Sequence, residues 1–224
     1  MAAPGPPQGP QGPGRGIHIA GHANFNNRLM SRLSLAPADL MHFLEACAMG
    51  NLARVESLLE RGVEVNTTGV PDTGDSVLSG TTGLMMAAMS GQTEVVERLI
   101  RLPELDINRR GLGQNSALTF AAGQGNTEIL LTLLRSGLKI CNSSLQSSVS
   151  GADPNVTNSS GKTSLGLAAD HVEMSDFMDI SANLVAAGCV GTTEDWEVLA
   201  RHPRKKLFVM MEVLRSFNQR ISLR

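Results

Sequence analysis

Residues 40–66 read LMHFLEACAMGNLARVESLLERGVEVN. The stretch divides at Gly50. Before it, an apolar segment closes on the small pair Ala46-Cys47. After it, Leu52, Val55, Leu58 and Leu59 recur at the i, i+3, i+4 spacing of one helical face. A glycine between the two accepts the left-handed backbone that ends a helix at least cost. The passage predicts a hairpin of two short helices.

Three further passages repeat the pattern: TGLMMAAMSGQTEVVERLIRLPELDIN (82–108), SALTFAAGQGNTEILLTLLRSG (116–137) and TSLGLAADHVEMSDFMDISANLVAAG (163–188). Set on the small pair, Ala46-Cys47 aligns with Ala87-Ala88, Ala121-Ala122 and Ala168-Ala169. Gly50, Gly91 and Gly125 share one offset, and Leu58-Leu59, Leu99-Ile100 and Leu133-Leu134 share another. Asn66 and Asn108 are 42 residues apart and Asn108 and Asn155 are 47 apart, but the surplus can be located. Joining Arg135-Ser136-Gly137 to Ala152-Asp153-Pro154-Asn155 removes 14 residues, 138–151, and leaves 33. The surplus of 9 in the first interval lies mostly in the Gly/Asp/Ser/Thr stretch 67–81. A period of this size marks a repeat array, in which no hairpin can bury its own apolar face and each leans on its neighbours.

These residues resemble the ankyrin repeat. The matching text is the small pair and glycine, the apolar helix, and L-L-x-x-G-x-x-x-N at Leu58, Leu59, Gly62 and Asn66. Gly161-Lys162-Thr163-Ser164-Leu165 precedes the fourth pair, and Gly-Ala-Asp-Pro-Asn (151–155) closes the third unit. The likeness spans roughly 39–190. The family's Thr-Pro-Leu-His turn stands here as Thr82-Gly83-Leu84-Met85, Ser116-Ala117-Leu118-Thr119 and Thr163-Ser164-Leu165-Gly166, lacking Pro and His each time. The resemblance implies an all-α, ankyrin-type helical-hairpin solenoid over 34–190, with insertions at 67–81 and 138–151. Residues 191–224 would be capping helices: Thr193-Glu194-Asp195-Trp196 starts one with a hydroxyl cap and acids in its first turn. After Pro203, one face carries Leu207, Met210, Met211, Leu214, Phe217 and Ile221, which would close the stack.

Residues 1–33 open with MAAPGPPQGPQGPGRG, whose glycines keep no strict period of three, so the segment is expected to be disordered and not collagen-like. Composition narrows the function classes. With Lys+Arg 19 against Asp+Glu 21, the net charge of −2 argues against a strongly basic nucleic-acid binder. Aromatics are 3% with no Tyr, too few to build stacking platforms for single strands. Cys47, Cys141 and Cys189 are odd in number and widely spaced, which suits neither a disulfide framework nor a zinc ribbon. No secretory pattern and no membrane-length apolar run are present, so an intracellular, cytoplasmic chain is expected and the glycosylation tripeptides at Asn66, Asn142, Asn155 and Asn158 are read as chance. The basic run His202–Lys206 would serve either as a nuclear import signal or as a solvated helix start.

Sites of chemistry do not assemble. Gly161-Lys162-Thr163 imitates the end of a phosphate loop, but residue 156 is Val where that loop needs Gly, and the repeat's own turn explains the text. His18 and His22 have a metal-compatible spacing, but no further ligands lie near them in sequence. Cys47 holds a packing position, and no catalytic residue, cofactor or metal ligand is assigned. What remains is a surface. In this architecture the first helices and turns line a concave side. Met86, Met89, Phe120, Gln124, Leu167 and His171, beside the small pairs, either form an adaptable apolar strip for a partner protein or complete the stacking core. The expected function is a non-catalytic protein-interaction module or scaffold using this face and the two long loops. The alternative is an accessory targeting piece of a larger enzyme or channel whose catalytic part lies elsewhere.

Overall fold

The computed structural model describes residues 37–69, 80–136 and 151–222. The segment 1–33, the pair His18 and His22, Cys141 and most of each insertion lie outside the described residues. Ten α-helices are found among the described residues, and they form five consecutive hairpins. α1 (Pro37–Met49) pairs with α2 (Leu52–Glu60), α3 (Gly83–Met89) with α4 (Thr93–Ile100), and α5 (Ala117–Gln124) with α6 (Thr127–Arg135). α7 (Ser164–His171) pairs with α8 (Met174–Ala186), and α9 (Thr193–Arg201) with α10 (Pro203–Ser222). The first helices stack in the order α1, α3, α5, α7, α9, and the second helices stack beside them as α2, α4, α6, α8, α10. Two parallel rows of helices result, with the main contacts between neighbours.

Local chemistry sets each hairpin. Gly50, Gly91 and Gly125 take φ of 74°, 75° and 79°, the left-handed region where a side chain is penalised. The same backbone bond closes each of these turns: Asn51 N to Ala46 O (3.0 Å), Gln92 N to Ala87 O (2.9 Å) and Asn126 N to Ala121 O (2.9 Å). From α3 onward, every first helix starts on a hydroxyl. Thr82, Ser116, Thr163 and Thr192 accept from the backbone N–H of Met85, Thr119, Leu165 and Asp195. Each such cap contributes about 1 kcal/mol over Ala. The last cap is Thr192, one residue before the expected Thr193, and Asp195 completes a capping box with it.

Successive units are tied by asparagine side chains. Asn66 donates to Glu104 O (2.6 Å) and accepts from Asp106 N (2.8 Å); Asn108 does the same with Gly151 O (3.5 Å) and Asp153 N (2.8 Å). Asn155 repeats it with Gly188 O (3.2 Å) and Val190 N (2.9 Å). The insertions leave this ladder undisturbed. At the first, Thr68 bridges Thr82, and Gly69 N bonds Thr81 O at 3.0 Å. At the second, Ala152 N bonds Leu133 O across 19 residues, where the equivalent bonds Val63 to Leu58 and Cys189 to Leu184 span 5. The surplus chain leaves and re-enters at one point.

The core runs continuously between the two rows: Phe43, Leu44, Val55, Leu84, Leu99, Leu118, Leu130, Leu133, Leu165, Phe177, Ile180 and Leu199 are all buried. Each such side chain contributes roughly 1.5–3 kcal/mol on transfer from water. The expectation for the last helix needs correction. Val209, fully buried, and the half-buried Lys205, Glu212 and Ser216 take the inner side of α10, and Leu207, Met210, Met211, Leu214 and Phe217 face solvent, 47–62% exposed. Leu214 lies about 140° round the helix from Val209 at 3.6 residues per turn. The apolar stripe does not close the stack, and the side chain of Ile221 lies outside the described residues.

Candidate protein-binding face

The first helices bury the side that meets their partner helices and neighbours; α3 is buried from Gly83 to Ala88, whereas α1, α5 and α7 leave residues partly uncovered. At the position before the small pair, Met86 is 7% exposed and belongs to the core, whereas Phe120 and Leu167 are half-buried. For Met86 the core reading holds, not the strip. After the pair, Met89 is half-buried against the core, while Gln124 and His171 are exposed. These helices are immediate neighbours, and Met89, Phe120, Gln124, Leu167 and His171 are the half-buried or exposed positions next to their small pairs.

Sequence reasoning missed Met49. It sits two residues after Ala46-Cys47, the offset of Gln124 and His171 from their own pairs, and is 70% exposed. The signal was the alignment itself, extended to the first unit. A flexible thioether at the exposed end of α1 gives the strip an apolar start. At the other end, Asp170 is held by Lys162. Burial raises the Asp170 carboxyl, but the bond and charge of Lys162, with the charges of His171 and Arg201, outweigh it and hold the group below its ordinary 3.8. Asp170 is thus a paired carboxylate.

The two described cysteines are buried. Burial pushes the Cys47 thiol up to about 12, so it is neutral and unreactive near pH 7. Burial also raises Cys189, whose sulfur lies 3.7 Å from Thr163 Oγ1. The basic run is partly absorbed too. Lys205 donates to Ala169 O (2.8 Å) and Val172 O (2.6 Å) at the end of α7 and sits 5.1 Å from the Phe177 ring centre. Among the described residues no three His, Cys, Asp or Glu are grouped to hold a metal. None of the described helices is long and apolar enough to cross a membrane.

The family model for ankyrin repeats, in three copies, matches residues 43–144. Residues 43–144 of the chain carry ankyrin repeats. No curated protein matches it. The matched span takes in the first three hairpins from Phe43 on, and the fourth and fifth continue the same two rows beyond it. Ankyrin repeats in general mediate protein–protein interaction.

The departures from the ankyrin turn have local causes. A side chain at Gly83, where the family places Pro, would press its Cβ to 2.6 Å from Phe43 Cε1 and 2.9 Å from Cys47 Sγ. The His position is filled in three ways. Met85 is buried against Gly111, Thr119 completes the capping box with Ser116, and Gly166 makes room for the Asp195 carboxylate. That carboxylate accepts from Thr163 N (2.9 Å), Thr163 Oγ1 (2.7 Å) and Thr192 N (2.8 Å), locking the fourth hairpin to the fifth.

Proposed function

We propose that this chain is a non-catalytic binding module that receives another protein across its first-helix face. The observation that carries the reading is the row Met49, Met89, Phe120 and Leu167 on four successive first helices, apolar and incompletely covered, with exposed Gln124 and His171 beside it. A row of this kind suits an extended segment or helix laid across the array, each unit contributing one contact. The two insertions leave the stack next to the starts of first helices or the loops before them, so their residues would flank such a partner.

The test is affinity capture with the full chain and two variants. Met49→Glu with Gln124→Glu changes exposed positions and should keep the thermal melting point within about 2 °C, since surface substitutions are usually nearly neutral. That variant should lose the proteins captured by the parent chain. Met86→Glu should instead unfold the second unit, because its side chain is core. Undiminished capture by the folded double variant would overturn the reading.

A further inference from the structure

We propose that the solvent side of α10 is a second docking surface, built for an acidic amphipathic helix of a partner protein packed as a two-helix seam. It is separate from the first-helix face and does not depend on it.

The inner side of α10 is already occupied: Val209 is in the core and Lys205 caps α7. The other side carries Leu207, Met210, Leu214 and Phe217, spaced 3, 4 and 3 residues apart, all exposed, with exposed Met211 and Val213 on either side of them, and Ile221 continues the spacing in the sequence. Alternation of 3 and 4 is the seam of a two-helix coiled coil, and Met211 and Val213 occupy the positions that border such a seam. The seam extends over most of a helix of 20 residues, more than twice the length of α9 with its 9. Stacking on α8, a helix of 13 residues, does not require that length.

Charge selects the occupant. Within Pro203–Ser222 there are five Lys or Arg and one acid, Glu212. Glu212 is largely buried and lies 3.8 Å from Arg215, so it does not offset the cations bordering the seam. At the start of the helix Arg204 lies on one border, exposed, and the half-buried Lys206 on the other; one heptad on, the same borders carry Met211 and Val213. A second copy of the chain would bring the same cations together with no acid on the face to pair them. A helix with Leu in the seam and Glu on both borders would cover the apolar stripe and meet each cation.

The experiment uses two labelled synthetic helices with identical leucine seams, one bordered by Glu and one by Lys, titrated with the full chain by fluorescence anisotropy. The Glu helix should bind at least about tenfold more tightly than the Lys helix, and added salt should narrow the gap. Leu214→Glu with Phe217→Glu should lower binding of the Glu helix by at least about tenfold at an unchanged circular-dichroism melt, as expected when seam anchors are lost. Arg204→Glu with Lys206→Glu should reverse the preference, and Met49→Glu should leave it unchanged. Equal binding of the two helices overturns the proposal. So does sedimentation of the chain as a dimer that Leu214→Glu with Phe217→Glu dissociates, and so does binding to phosphatidylserine vesicles without binding to either helix.

Discussion

Asp195 shows how one buried charge is held in place by the backbone around it. Three donors converge on its carboxylate, and the missing side chain at Gly166 leaves the space it fills. Asp195→Ala should therefore destabilise the chain by about 3 kcal/mol, because the Thr163 and Thr192 donors lose their acceptor in a dry setting. Gly166→Ala should cost roughly 1–3 kcal/mol by overpacking against that carboxylate. Combined, the two should cost clearly less than their sum, since removing the carboxylate vacates the space the new methyl needs. Strict additivity in urea denaturation would contradict the arrangement. This residue was legible in the sequence only as an acid in a helix's first turn. That it reaches back 32 residues to Thr163 follows from stacking, which no local pattern encodes.

Elements were legible where their signals are local. Turn glycines, hydroxyl caps and the 3.6-residue period fix where helices start and stop, and the hairpins follow from them. Facing was not. α10 has two usable sides, and Lys205 on the α7 carbonyls with Val209 in the core decides the rotation, so the stripe expected inside lies outside. Met86 and Phe120 hold the same offset yet differ in burial, which the repeat alignment does not encode. The end of α7 carries its own pH response. Asp170 is held below its ordinary value by Lys162, so the pair stabilises the fold above about pH 4, and that contribution disappears as pH falls through the lowered folded value. Asp170→Asn should lower the melting point at pH 7, and the gap from the parent chain should close on acidification below about pH 4, the ordinary carboxylate range. A gap of constant size down to pH 3 would mean the pair is irrelevant to stability.

Across the described array, stability is close to a sum over junctions, because each hairpin packs mainly on its neighbours. Asn108 is a junction residue: its amide ties the loop after the second unit to the loop after the third. Asn108→Ala should cost about 1 kcal/mol per lost bond. In hydrogen exchange, the amides around 151–156 should lose protection while α1 and α2 keep theirs; uniform loss along the chain would mean the array opens as one body. The asparagines were visible as spacing markers in the sequence, but their bonding could not be read before the loops were placed. The crossing from Leu133 to Ala152 has a wider consequence. A closed detour makes the pitch of the row indifferent to how much chain travels around it, and doubling such a detour would add only about 0.6 kcal/mol of closure entropy. The rim can thus lengthen, shorten or change composition from one descendant to the next while the spine keeps its geometry.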